Sequence, residues 1–226
     1  MPDLKKHFNE EAQSFDAQVQ KNIPCYNEML TALINAIPDD KENPKILDLG
    51  CGTGNITKRV MERFPQARVT CLDLSENMIE IAKQKLSEYE SIEYVIGDFT
   101  QMLSDEKYDA IISSLALHHI PNDEEKEQMY KSIYDSLECG GVFYNADVIK
   151  ANSAYNDRLY KQIATEDMKK NGVTEEEIAE HNGKRDANDI PTTLINHVKM
   201  LENVGFTQID VIWKYYSNAV YGGVKN

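Results

Sequence analysis

Three glycines and two aspartates near the middle of the chain have the types and spacing of a nucleoside-binding site. Ile46-Leu47-Asp48-Leu49 is an apolar run that ends in Gly50, Gly52 and Gly54 and then enters a helix-like segment at Asn55. Glycines at such a junction let the backbone turn tightly and let a ligand touch main-chain atoms without meeting a Cβ. The helix that follows presents unpaired N–H groups to an anion such as a carboxylate. Asp73, 23 residues after Gly50, ends the next apolar run and is followed by Leu74. A carboxylate there can accept from both hydroxyls of a ribose. Asp98, in Gly97-Asp98-Phe99, ends a third run, where it can accept from an adenine amino group while Phe99 forms an apolar wall.

Three further residues are candidates for catalysis. His118 and His119 follow a fourth apolar run, and Asp147 ends a fifth. One histidine could act as a general base near neutral pH; the alternative is loop packing with hydrogen bonds. Asp147 either faces an acceptor or is an ordinary polar strand end. Neighbouring histidines do not readily face one ion, and the sequence shows no third ligand at zinc spacing, so no metal site is expected. Cys25, Cys51, Cys71 and Cys139 form no C-x-x-C pair. They read as reduced thiols of a cytoplasmic protein.

The elements that position these residues alternate. Strand-like runs at 45–49, 68–72, 91–97, 108–113 and 141–148 alternate with helical patterns at 55–64, 75–89 and 123–137. Ser75 is a natural N-cap, and Gly140-Gly141 is read as the stop of the third helix. Alternation of this kind implies right-handed β-α-β units and a mostly parallel sheet covered on both faces. Its ligands bind at the carboxyl ends of the strands. Residues 1–40 read as helices broken near Pro24. Residues 151–190 read as a polar helical insertion, with Thr174 and Glu177 placed as a capping box. A helix after Pro191 and a closing antiparallel strand pair over 206–224 complete one domain spanning 1–226. Its helical additions are suited to act as lids.

Composition narrows the functional classes. The 226 residues carry 24 Lys and Arg against 38 Asp and Glu, a net charge of −14. That balance disfavours a nucleic-acid partner, since phosphate neutralisation needs clustered bases. No apolar run approaches the ~18–20 residues of a membrane span, and Met1 to Glu10 lacks the apolar core of a signal peptide. A homodimer is compatible with all of this. A dinucleotide site of the G-x-G-x-x-G kind is disfavoured because Asn55 stands where its third glycine belongs.

Taken in order, Leu47-Asp48-Leu49-Gly50-Cys51-Gly52-Thr53-Gly54, Asp73, Gly97-Asp98 and Ser113-Ser114-Leu115-Ala116-Leu117-His118-His119-Ile120 resemble the class I S-adenosylmethionine (SAM)-dependent methyltransferases. The resemblance covers about residues 44–148 and implies a Rossmann-like α/β fold, doubly wound, with seven strands, the last antiparallel. It implies SAM as cofactor and S-adenosylhomocysteine as product. Gly50, Cys51, Gly52 and Gly54 would then pass the methionyl part. Asp73 and Leu74 would meet the ribose, Asp98 and Phe99 the adenine, and Ser114 and Leu115 would line the site. Phe15-Asp16, Ile23-Pro24-Cys25-Tyr26, Asn171-Gly172 and Trp213-Lys214-Tyr215-Tyr216 are similar to the carboxy-SAM synthases of tRNA wobble-uridine modification. By that likeness Tyr26 would reach over SAM. Arg185 lies near the place of the arginine that grips the extra carboxylate there, offset by an insertion. The expected activity is methyl transfer to a small-molecule acceptor. The alternatives are SAM modification of the carboxy-SAM type and a SAM-binding sensor without turnover.

Overall fold

The computed structural model describes residues 2–101 and 106–226. Seven strands form one sheet: β1 (Lys45–Leu49), β2 (Arg68–Asp73), β3 (Ile92–Ile96), β4 (Tyr108–Ser114), β5 (Leu137–Val148), β6 (Thr207–Tyr215) and β7 (Asn218–Val224). Their order is β3-β2-β1-β4-β5-β7-β6. β7 runs antiparallel to both its neighbours, and the remaining pairings are parallel. The strand order reverses between β1 and β4, which opens a crevice at their carboxyl ends. Leu49 pairs with Leu72 on one side and Ser113 on the other. The three loops that follow these strands therefore leave the sheet at one level.

Strand periodicity divides the core. Ile46, Ala110 and Ile112 face one hydrophobic cluster, and Leu47 and Ile111 face the other. Both faces are apolar, as a doubly covered sheet requires. On the first face lie α3 (Tyr26–Asn35) and α4 (Asn55–Arg63), which bury Met29, Leu30, Leu33 and Val60 completely. On the second lie α6 (Asp123–Ser136) and α9 (Leu194–Val204), with Ile133 and Leu201 buried. Each such side chain stabilises the fold by ~1.5–3 kcal/mol relative to exposure.

α5 (Glu76–Lys85) begins where its cap dictates, with the Ser75 hydroxyl accepting from the Met78 N–H. It ends four residues before the expected Tyr89, with Leu86 as its C-cap. The helix stop expected at Gly140-Gly141 is absent. α6 ends at Ser136, and β5 starts directly at Leu137. The Gly140 N–H donates to the Lys225 carbonyl, and the Lys225 N–H donates to the Gly141 carbonyl. Extension of the β5–β7 pairing to Lys225 captures those glycines as strand.

The additions at 1–40 and 151–190 are helical. α1 (Pro2–Glu11) and α2 (Phe15–Asn22) precede α3, while α7 (Ala154–Lys170) and α8 (Glu175–Asn188) follow β5. α8 opens with the expected capping box of Thr174 and Glu177. The Asn171 side chain donates to the Lys21 carbonyl at 3.0 Å, and Lys184 pairs with Glu11 at 2.6 Å. These contacts join the two additions over the carboxyl ends of the strands.

Candidate functional site

The loop after β1 folds as its glycines allow. Gly50, Gly52 and Gly54 have φ of +68°, +54° and +82°, in the left-handed region. A Cβ on Gly50 would overlap Ala116 Cβ, whereas one on Gly52 would meet nothing nearer than Phe15 at 3.7 Å. Gly50 is thus required for packing, and Gly52 leaves bare backbone beside open space. Asp73 braces the loop: its Oδ2 accepts from the Gly52 N–H and its Oδ1 from the Ser75 N–H, both at 2.8 Å. Burial raises its pKa, and those backbone hydrogen bonds work the other way.

These residues surround one cavity. Tyr26, Gly50, Cys51, Gly52, Asp73, Leu74, Asp98, Phe99, Ser114 and Leu115 all line it. Gly54 does not; it packs against Leu86 and Ala82. Asp98 Oδ1 accepts from the Thr100 N–H and hydroxyl, which fixes the turn after β3. A hydrogen bond to Cys71, and then burial, push the Cys51 thiol well above its usual range, which disfavours the thiolate a nucleophile needs.

Asp48 interrupts the apolar run of β1. It lines the cavity at 1% exposure; its Oδ2 accepts from the Thr57 hydroxyl at 2.6 Å, and its Oδ1 has no partner among the described residues. Burial pushes its carboxyl up to about 7. A buried carboxylate oxygen without a donor fits a ligand that carries an ammonium group. Together with bare backbone at Gly52 and carboxylates at 73 and 98, the residues present fit a nucleoside with an amino-acid tail.

α2 supplies a cover that its sequence only hinted at. Asp16 accepts from Thr53, Asn55 and Lys85, the last at 2.6 Å. Partial burial would raise its pKa, but these hydrogen bonds outweigh it and hold the carboxyl below the usual range. The result is that Phe15 is set beside the glycine loop. Leu115 also lines the cavity and has φ +52°, a strained conformation for a residue with a side chain.

A second cavity, of about 370 Å³, adjoins the first; Phe8, Phe15, Leu115 and His119 line both. Four of the chain's five histidines, His7, His118, His119 and His181, line it, with Lys184 and Arg185. The three catalytic candidates part company here. Asp147 lines neither cavity: it is 1% exposed, with its Oδ1 2.5 Å from His118 Nδ1 and its Oδ2 accepting from the His118 N–H. It faces inward because the histidine turn lies across the end of β5. His118 is buried with Asp147 on one ring nitrogen and Asp189 3.4 Å from the other. Burial would lower its pKa, but the two carboxylates hold it up at about 10. His119 faces both cavities, and burial and the neighbouring imidazolium lower its pKa to about 4. Asp189 is the partner that the sequence did not reveal, since 71 positions separate it from His118.

Residues 46–141 match the family described as methyltransferase domain. The chain is 29% identical over 221 residues to a carboxy-S-adenosyl-L-methionine synthase of Nautilia profundicola, covering 95% of this chain and 92% of that protein. It is 39% identical over 167 residues to a malonyl-[acyl-carrier protein] O-methyltransferase of Priestia megaterium, covering 70% of this chain but spanning only 57% of that protein's length. Among solved structures, the DhpI–SAM–HEP complex superposes with a TM-score of 0.67 at 19% identity, covering 96% of this chain and 94% of that one. That likeness extends to the whole seven-stranded fold. No helix among the described residues is long and apolar enough to cross a membrane.

Proposed function

Since the chain carries a class I methyltransferase domain that uses SAM, we propose that it transfers a methyl group to a small-molecule acceptor held in the second cavity. One observation carries this reading: the two cavities share the wall of Phe8, Phe15, Leu115 and His119, so an acceptor held in the second lies next to the cofactor's cavity.

SAM, when bound, supplies a methyl group activated on a cationic sulfur. The chain's own residues hold and shield. The backbone at Gly50, Cys51 and Gly52 takes the amino-acid tail, with Asp48 Oδ1 accepting from its ammonium. Each oxygen of Asp73 keeps a lone pair beyond its backbone bond and accepts from a ribose hydroxyl. Asp98 and Phe99 receive the base, and Ser114 lines the floor. Tyr26 and Phe15 close over the pocket from α3 and α2 and exclude water. Orientation of the acceptor supplies up to ~7–11 kcal/mol of acceleration. A base is needed only where the acceptor keeps its proton until transfer, so catalysis needs no covalent dyad. The helices at 1–40 and 151–190 act as the lids of a single domain in a reducing, cytoplasmic setting.

Calorimetry with SAM and S-adenosylhomocysteine tests the reading. Wild type is expected to bind both, and Asp73→Ala to bind neither. Incubating a metabolite extract with methyl-deuterated SAM should then yield a labelled small molecule. Absence of binding by wild type would defeat the proposal.

A second reading has its own support. The carboxy-SAM synthase likeness covers 95% of this chain and 92% of that protein, and Arg185 lines the second cavity. A guanidinium there suits a carboxylate. Mass spectrometry of the ligand carried through purification separates the two: carboxy-SAM favours this reading, and SAM or S-adenosylhomocysteine alone favours methyl transfer.

A further inference from the structure

We propose that His118, His119 and Asp189 bind one divalent transition-metal ion, of the zinc or cobalt class, in the wall of the second cavity, where His119 also borders the first. Nitrogen and oxygen donors of the three residues lie within 4.8 Å of one another. Asp189 Oδ1 is 3.4 Å from His118 Nε2 and 3.8 Å from His119 Nδ1. Donors about 2.0–2.1 Å from a tetrahedral zinc stand roughly 3.4 Å apart. Small side-chain rotations therefore bring all three into the shell of one ion.

The surroundings are those of a metal site. Asp147 Oδ1 holds His118 Nδ1 at 2.5 Å, and Asp147 is itself fixed by the backbone N–H groups of His118 at 3.0 Å and Val148 at 2.8 Å. A carboxylate behind a ligating imidazole orients its other nitrogen towards the ion and raises its basicity. The distant segments are tied together as well. The Ile190 N–H donates to the His118 carbonyl at 3.0 Å, and buried Lys126 donates to the carbonyls of Ile120 and Ile190. His119 Nδ1 lies 3.2 Å from the Asn188 carbonyl. Ligation moves the His119 proton to Nε2 and turns Nδ1 to the ion, and it releases to solvent the proton that His118 holds on Nε2 beside Asp189. Two imidazoles and one carboxylate are an N₂O set suited to zinc or cobalt.

Three protein ligands leave a fourth position open. All three residues line the second cavity, so that position faces the acceptor space. There the ion would take a hydroxyl or carboxylate oxygen of the acceptor. That role rests on the methyl-transfer reading; binding of the ion does not.

Cobalt(II) titration of the chelator-stripped full chain, followed by visible absorption, tests the site. One equivalent is expected to bind with the intense bands of four-coordinate cobalt, and zinc is expected to bleach them. Asp189→Ala, at a side chain 16% exposed, and His119→Ala should each weaken cobalt binding at least tenfold while circular dichroism is unchanged. Failure to reach one equivalent, a weak six-coordinate spectrum, or unchanged affinity in both variants would overturn the proposal. SAM binding is read on the same samples. Cobalt binding without SAM binding defeats the methyl-transfer reading alone, and the reverse defeats the metal site alone.

Discussion

Lys85 at the end of α5 and Asp16 on α2 form an ion pair at 2.6 Å that fastens the N-terminal helices over the glycine loop. Lys85 also donates to Thr53 and Asn55, the residues flanking Gly54. The Asp16 side chain is 40% exposed, so the pair itself is a modest stabiliser of about 0.5–1 kcal/mol. Its larger effect is to keep Phe15 beside the loop. Lys85→Met is therefore expected to weaken SAM binding about three- to tenfold and to shift the denaturation midpoint little. Calorimetry and urea unfolding check this, and hydrogen exchange should quicken in α2. An unaltered affinity would mean that α2 closes without the ion pair.

The glycines separate packing from binding. At Gly50 an added Cβ meets both an unfavourable φ and the Ala116 side chain, so Gly50→Ala should cost about 3 kcal/mol or more in stability. At Gly140, φ is +81° but no atom lies within 4 Å of the added Cβ, and Gly140→Ala should cost only ~1–2 kcal/mol. Gly52→Ala should match Gly140→Ala in stability but lose SAM affinity by tenfold or more. Chemical denaturation and cofactor titration of the three variants check the ranking; loss of cofactor from Gly140→Ala would contradict it.

Asp73 carries two roles, which substitution can part. Asp73→Ala leaves the Gly52 and Ser75 N–H groups without their acceptor, a loss of about 2–3 kcal/mol. Asp73→Asn keeps one acceptor oxygen and should retain more stability. It is still expected to lower SAM affinity at least tenfold, because its amide cannot accept from two hydroxyls while bracing the loop. Thermal melts with and without SAM read both effects.

What the sequence made legible follows how local each signal is. The glycine loop, Asp73 and Asp98 sit at strand ends fixed by short apolar runs, and the structure gathers them at one cavity. The Ser75 and Thr174 caps involve neighbours within three residues and formed as expected. Gly140-Gly141 misled because its fate depends on Lys225, at the far end of the chain. The histidine pair was ambiguous for the same reason, as Asp189 reaches it only through the fold. Asp48 reads in the sequence as an interruption of an apolar strand; only the packed sheet shows that one of its oxygens lacks a donor.

Asp48 also yields a dependence on pH. Burial pushes its carboxyl up to about 7, helped by the nearby charge of Asp73, and the Thr57 hydrogen bond opposes the shift. An unfolded aspartate titrates near 4, so between about pH 4 and 7 the native chain holds a proton that the unfolded chain has lost. Stability then falls as pH rises through that window. Asp48→Asn removes this contribution and keeps the shape. Its stability relative to wild type should therefore grow from about pH 4 to 7 and level off above, as read by urea unfolding at a series of pH values. SAM binding should show the opposite preference. The charged carboxylate attracts the cofactor's ammonium, so wild-type affinity rises with pH over the same window while that of Asp48→Asn stays flat. A stability difference that does not vary with pH would place the buried proton elsewhere.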